Sequence, residues 1–195
     1  MNKDNSDNVH NKWNERYKSE EFVLGTNPSP FLETNMDFIK SLTPGRKAFD
    51  IACGEGRNSI FLAKQGFTVT GVDISEMGLL KAGKWMEREH LQIEFRNTDL
   101  EEYEFTETYD LIINFNFLLR DLIPKAVTAL NPKGVMAMDT LLDSPFVPTI
   151  HKKEFLLRPN ELYTIFSNFH GTIFRHEEWL HDQVPTARLI FQKAS

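Results

Sequence analysis

Cysteine is almost missing: Cys53 is the only one among 195 residues, so neither an intrachain disulfide nor a Cys-based zinc cluster can form. Positive charge is also short, with 22 Lys plus Arg against 28 Asp plus Glu and a formal net charge of −6. A surface that neutralises many phosphates needs a basic excess, so nucleic acid is not an expected partner. No apolar run approaches the roughly 20 residues that cross a bilayer. The opening MNKDNSDNVHNKWNERYKSEE has no apolar centre of the kind a signal peptide carries. These absences leave a cytoplasmic chain with no membrane partner as the expectation, and its length is that of one domain over 1–195.

What the chain does contain is an alternation of strand-like and helix-like segments. Residues 1 to about 10 are polar and expected to fray. Helices are expected over 13–18 and 31–42, then a break at Thr43-Pro44-Gly45. Strands follow over 47–52, 67–73, 91–96, 109–115 and 135–140, the fourth apolar enough to be buried on both faces. Helices are expected between them over 57–65, 75–90 (capped by Ser75) and 120–130, with Pro124 in the first turn or at a kink. Residues 141–157 lack a period and form a long loop, a candidate lid. Pro159 is placed to start a helix reaching Phe169. Strands over 172–179 and 187–192 are close enough in sequence to form an antiparallel pair. Alternation of this kind predicts a parallel sheet covered by helices on both faces, with ligands beyond the C-terminal strand ends.

The turn Cys53-Gly54-Glu55-Gly56 falls at such an end. A dinucleotide fingerprint wants a third glycine where this chain has Ser59, and an acid about 20 residues on, which Asp73 supplies. Charge separates the cofactors. Asp50 ends the first strand and Glu55 lies in the turn itself. Two unit charges 4 Å apart interact by about 4 kcal/mol at an effective dielectric of 20, and a fraction of that opposes a pyrophosphate. A sulfonium and ammonium beside one carboxylate suit these acids better, with Asp50 facing the positive end and turn N–H groups the carboxylate. That favours S-adenosylmethionine (SAM) over NAD. Solvent exposure is an equal reading for Glu55, and a backbone-bonded strand-end acid is the alternative for Asp50.

DIACGEGRNSIFLAKQGFTVTGVDIS resembles the first motif and second strand of class I SAM-dependent methyltransferases. CGEGRN, Gly66 and VDIS together resemble the tellurite-resistance branch. Thr98-Asp99-Leu100, NFNFLLRDLIPKAVTALNPKGVMAMDT, FLLRPNEL and HEEW are similar to later segments of that branch. The resemblance implies a Rossmann-like sheet of seven strands in the order 3-2-1-4-5-7-6, five parallel strands being followed by a C-terminal antiparallel hairpin. It implies that residues 1–45 cover the cofactor.

For the cofactor it implies that Asp50, Ala52, Gly54 and Gly56 frame the methionine end of SAM, with Arg57, Asn58 and Asn114 beside them. Asp73 would take the ribose hydroxyls, Asp99 and Leu100 would meet the adenine amine, and Ile74 the adenine face. Trp13 and Tyr17 would lie over the cofactor; Ile74, Trp13 and Tyr17 read equally as core residues.

Methyl transfer from a sulfonium needs alignment and exclusion of water more than a catalytic triad, and no metal is expected. The expected activity is in-line transfer of a methyl group to a small polar or anionic acceptor, leaving S-adenosylhomocysteine (SAH). Arg120 and Arg158 are candidates to hold that acceptor, a salt bridge to Asp121 or Glu161 being the competing reading. His151 is the best-placed histidine for a base, ahead of His176 and His181. The approach Val184-Pro185-Thr186-Ala187-Arg188 lacks the His/Arg cluster associated with tellurite methylation, which puts tellurite itself in doubt. The alternatives are a non-catalytic SAM- or SAH-binding module and an NAD-dependent oxidoreductase. A monomer or homodimer is expected.

Overall fold

The most apolar run, YDLIINF, forms strand β4 (Tyr109–Phe115), and every residue in it is buried. A strand without a wet face needs strands at both sides and layers above and below. In the computed structural model, which describes residues 3–144, 152–179 and 184–195, β4 lies parallel to β1 (Lys47–Ile51) and β5 (Leu130–Leu141). Parallel β2 (Thr68–Asp73) and β3 (Ile93–Asn97) extend the sheet beyond β1. On the other side β7 (Thr186–Lys193) pairs antiparallel with β5, and β6 (Gly171–Trp179) antiparallel with β7. The order β3-β2-β1-β4-β5-β7-β6 is the expected one.

The pleat of β4 divides the core. Leu111, Ile113 and Phe115 face α2 (Pro30–Leu42), α3 (Arg57–Lys64) and Trp85 of α4 (Glu76–Arg88). Ile112, with Met136, Met138 and Phe191, faces α5 (Leu122–Thr128) and α6 (Glu161–Phe166). Burying a side chain of this size stabilises by about 1.5–3 kcal/mol. Two such layers therefore hold the strand ends in fixed register. Ser75 caps α4 as expected, its Oγ accepting from the Gly78 N–H at 3.1 Å.

Several boundaries differ from expectation. Helix α1 runs over Lys3–Tyr17, through the stretch expected to fray. It is a mostly polar helix held by tertiary contact, since Asn14 Oδ1 accepts from Ser75 Oγ and the Met77 N–H at the start of α4. The Asn131-Pro132-Lys133-Gly134 turn lies inside β5, where the register to β4 jumps from Tyr109↔Leu130 to Leu111↔Val135. α5 is shorter than 120–130, with Pro124 at its third position, where a missing N–H costs nothing. α6 spans only Glu161–Phe166, and Pro159 precedes it, because Asn160 takes a left-handed φ of 64° and forms the cap. The long loop is partly tied, with an isolated parallel bridge joining Leu142 and Leu157. Residues 145–151 of that loop, His151 included, lie outside the described residues, as does His181.

Candidate functional site

The β1–α3 turn is shaped by backbone that few side chains tolerate. Gly54 and Gly56 have φ of 53° and 82°, in the left-handed region that glycine enters without penalty. Space excludes a side chain as well: a Cβ on Gly54 would lie 2.7 Å from the Tyr17 hydroxyl, and one on Gly56 2.8 Å from Ala82 Cβ. Ala52, at φ 54°, takes the same conformation without being glycine.

The turn is locked to the end of β2. Asp73 accepts the Gly54 N–H on Oδ2 and the Ser75 N–H on Oδ1, each at 2.8 Å. Burial nevertheless raises its pKa, those backbone donors pulling the other way. The Ile74 N–H acts in the same direction, and since a carboxylate offers about four lone-pair directions, capacity for a further donor remains. Ile74 is half-buried beside Asp73, its carbonyl accepting from Asn97 Nδ2.

Asp50 is deeper. Its Oδ2 accepts from Ser59 Oγ at 2.6 Å, and burial pushes its carboxyl up to about 7 despite that bond. The off-pattern Ser59 thus has a chemical role as the donor to the strand-end acid, a hydroxyl where the dinucleotide pattern wants a bare backbone.

Glu55 does not face solvent. It is buried, forms an ion pair with Lys81, and accepts the Val23 N–H on Oε2 at 2.8 Å. It ties residues before α2 to the turn, and Lys81 offsets its charge there. Asn58 has a similar task, its Oδ1 accepting the Ser29 N–H at 2.8 Å. Arg57 donates to the Leu24 carbonyl at 3.3 Å. Burial lowers its pKa, while Asp50 and Asp139 both raise it, so its guanidinium sits in the field of both acids.

Tyr17 packs directly against Gly54 and Gly78. Its ring stacks on Trp13 at 5.6 Å between centroids. Burial, and then the charges of Asp73 and Glu55, raise its phenol pKa well above the usual value. Asn114, at the C-terminal end of β4, is 1% exposed and its Oδ1 has no hydrogen-bond partner among the described residues. Asp99 accepts the Glu101 N–H on Oδ1, and Leu100 is buried in the core cluster that includes Val72 and Ile51. Asp50, Asp73, the glycines and Tyr17 thus gather at the ends of β1 and β2, and Asn114 lies at the end of β4, level with Ile51 and so turned to the opposite face of the sheet from Asp50.

The acceptor candidates do not gather there. Arg120 is occupied: Nε and Nη2 bind the Glu161 carboxylate, and Nη1 and Nη2 donate to the carbonyls of Glu154 and Leu156. The salt bridge to Glu161 weighed for it is present. Arg158 is 79% exposed and 3.6 Å from Glu161. His176 stands on β6, 3.7 Å from Glu178. Sequence reading missed Asp139 and Arg188, which pair across β5 and β7 at 3.2 Å. A signal for Asp139 was present, since VMAMD ends in an acid just as AFD does in β1.

Residues 14–175 match the family described as "Tellurite resistance protein TehB". A relative named "Probable S-adenosyl-L-methionine-dependent methyltransferase TehB", from Haemophilus influenzae (strain 10810), is 28% identical over 141 residues, 69% of this chain and 49% of the relative. The "Ubiquinone biosynthesis O-methyltransferase" of Actinobacillus pleuropneumoniae serotype 5b (strain L20) is 31% identical over 50% of this chain and 46% of its own. The chain spans about half the length of these curated relatives. Among solved structures, TehB from Haemophilus influenzae superposes with a TM-score of 0.69 at 22% identity, covering 94% of this chain and 66% of that one. The magnesium protoporphyrin IX methyltransferase from Synechocystis PCC 6803, with bound SAM, gives 0.70 at 18% identity and covers 100% of both chains. At these identities the superpositions establish a shared fold.

Proposed function

The chain belongs to the TehB tellurite-resistance family, and from that premise we propose that it transfers a methyl group from SAM to a small polar or anionic acceptor by in-line displacement. The observation that carries this reading is the pinned Asp73 carboxylate beside a turn with no room for side chains. Such a carboxylate keeps lone-pair capacity toward a ribose hydroxyl, and the bare turn would let the cofactor's main chain approach once the Tyr17 hydroxyl, which lies against Gly54, gives way.

The residues present fit SAM. Asp50, held near 7 by burial, is an acid that a neighbouring cation would return to its charged form. Asn114 Oδ1 is a buried acceptor in want of a donor, which an ammonium supplies. Bound there, SAM would supply a methyl group on an already activated leaving group. The protein's own residues would do the rest. Asp73 and Asp99 would fix the nucleoside, Asp50 and Asn114 would orient the cationic end, and the 1–45 segment with Trp13 and Tyr17 would keep water out. No step needs a metal ligand set, and among the described residues no group of three or more His, Cys, Asp or Glu is placed to form one. The O-methyltransferase among the relatives makes a hydroxyl one acceptor to consider.

Thermal unfolding with SAH, with SAM and with NADH tests the reading. A ligand at 100 times its dissociation constant stabilises by about 2.7 kcal/mol, a rise of roughly 5–10 °C for a domain of this size. The rise is expected with SAH and SAM. A rise with NADH alone would overturn the proposal in favour of an oxidoreductase. SAH binding without methyl transfer to any member of a broad acceptor panel would favour a non-catalytic binding module.

A further inference from the structure

Asp139 and Arg188 occupy the same end and the same face of the sheet as Asp50. Asp50 is level with Ile113, and Ile113 with Ala137; Asp139 is two residues beyond Ala137, so its side chain returns to that face at the C-terminal rim. Arg57 lies within the field of both acids. Asp139 therefore adjoins the charged end of the proposed cofactor cleft.

The pair is incompletely satisfied. Asp139 is 8% exposed; Oδ2 receives Arg188 Nε at 3.2 Å, while Oδ1 is buried with no hydrogen-bond partner among the described residues. Thr186 Oγ1, level with Leu141 on the same face, is close enough for its hydroxyl to lower the Asp139 pKa as a donor, though neither Oγ1 nor Asp139 Oδ1 has a well-formed hydrogen bond among the described residues. An unpaired buried acceptor is costly, more so when charged. Such a cost is tolerated where a ligand brings the donor. Arg188, for its part, lies over the rings of Phe31 and Trp179 at 5.8 and 5.4 Å. Its Nη groups have no hydrogen bond to a described residue, and Trp179 is 45% exposed at the rim.

We propose that Asp139 and Arg188 form the acceptor subsite, for a small planar molecule whose O–H or N–H nucleophile donates to Asp139 Oδ1 while an anionic group meets the Arg188 fork. This rests on the methyltransferase reading and deepens it by naming the acceptor's chemistry. Burial raises the Asp139 carboxyl above the usual range, with Arg188 opposing, which makes that oxygen a better resting place for the nucleophile's proton.

The test uses the full chain saturated with SAH, titrated calorimetrically with 3-hydroxybenzoate, 4-hydroxybenzoate and benzoate. A hydrogen bond to a charged group predicts that at least one hydroxybenzoate binds more than about tenfold tighter than benzoate. Asp139→Ala should bring that ratio to about one. Arg188→Ala should weaken all three probes by about tenfold or more, and both variants should bind SAH as the parent does. Asp139→Asn, which keeps the side chain's shape, should cut the ratio at least threefold even if the alanine variant fails to fold. Equal or undetectable binding of the three probes to the parent, or a ratio unchanged in Asp139→Asn, overturns the subsite. Absence of SAH binding to the parent overturns the cofactor reading itself, and the subsite falls with it.

Discussion

Asp73, at the β2 end of the rim, has both oxygens engaged by backbone N–H groups, whereas Asp139, at the β5 end, has one oxygen held by Arg188 and one held by no described residue. The same contrast runs through their surroundings. Asp50 has Ser59, and Glu55 has Lys81 and Val23, while Thr186 Oγ1 near Asp139 has no well-formed hydrogen bond among the described residues. Asn114 apart, the carboxylates at one end of the rim are preorganised by the chain's own donors. The other is arranged to receive donors from outside. A cofactor that is the same in every turnover suits the first kind of site, and an acceptor chosen by its chemistry suits the second.

The largest test of this contrast is Gly54→Ala. A methyl group there meets the Tyr17 hydroxyl and a left-handed backbone at once, so the roughly 5–10 °C rise with SAH should vanish in a melting scan. A preserved rise would mean that the β1–α3 turn is not the cofactor's cradle.

Next comes Arg120→Ala, which should leave SAH affinity alone and lower stability by about 1–3 kcal/mol, because charged hydrogen bonds joining residues 120, 154, 156 and 161 are lost. Urea unfolding would read it. The Arg120 guanidinium first, and the Arg158 N–H after it, hold the Glu161 carboxyl near 2 against an ordinary 4.5. A depressed carboxylate stabilises above its unfolded pKa and loses that contribution as pH falls through the folded one. The gap between the parent and Arg120→Ala should therefore be full above pH 4.5 and shrink toward pH 2. Lost SAH binding in this variant would return Arg120 to the active site.

A smaller effect belongs to Asp50. With a carboxyl titrating near 7 in the free protein, a cationic ligand binds the charged form and must displace a proton below that pH. SAM affinity should then rise by up to about tenfold from pH 6 to pH 8, and Asp50→Asn should flatten the profile in isothermal titration. A flat profile in the parent would remove Asp50 from the cationic end. Arg158→Ala marks the bottom of the scale: the side chain is mostly exposed, so stability should move by no more than about 0.5 kcal/mol and SAH affinity not at all. A marked loss of acceptor turnover with this variant would break the assignment of the acceptor end to Asp139 and Arg188.

How much of this was legible in the sequence follows from the range of the interactions involved. The strands, the glycine turn, Asp50 and Asp73 are local signals: an apolar run, a bare backbone, an acid at a strand end. Period and spacing report these directly, and β4 or the Ser75 cap came out as read. Charge balance within one turn was local too, and it favoured a cation before any contact was visible. The polar helix α1 gives no such signal, because what holds it is Asn14 against the start of α4, some 61 residues on. Glu55 was ambiguous for the same reason, since its partners Val23 and Lys81 come from two other segments.

The arginines show the division most sharply. Arg120 and Arg188 are equally able to bind an anion as residue types. Only the packing of α6 against the loop before it gives Arg120 the Glu161 carboxylate and two carbonyls. Only the antiparallel register of β7 on β5 sets Arg188 opposite Asp139. Sequence by itself determined the sheet, the turn and the acids that suit a cationic cofactor, because each depends on neighbours within a few residues. Tertiary structure decided which charges are spent on holding the fold and which remain for a ligand, because a side chain's partners are set by segments far away along the chain.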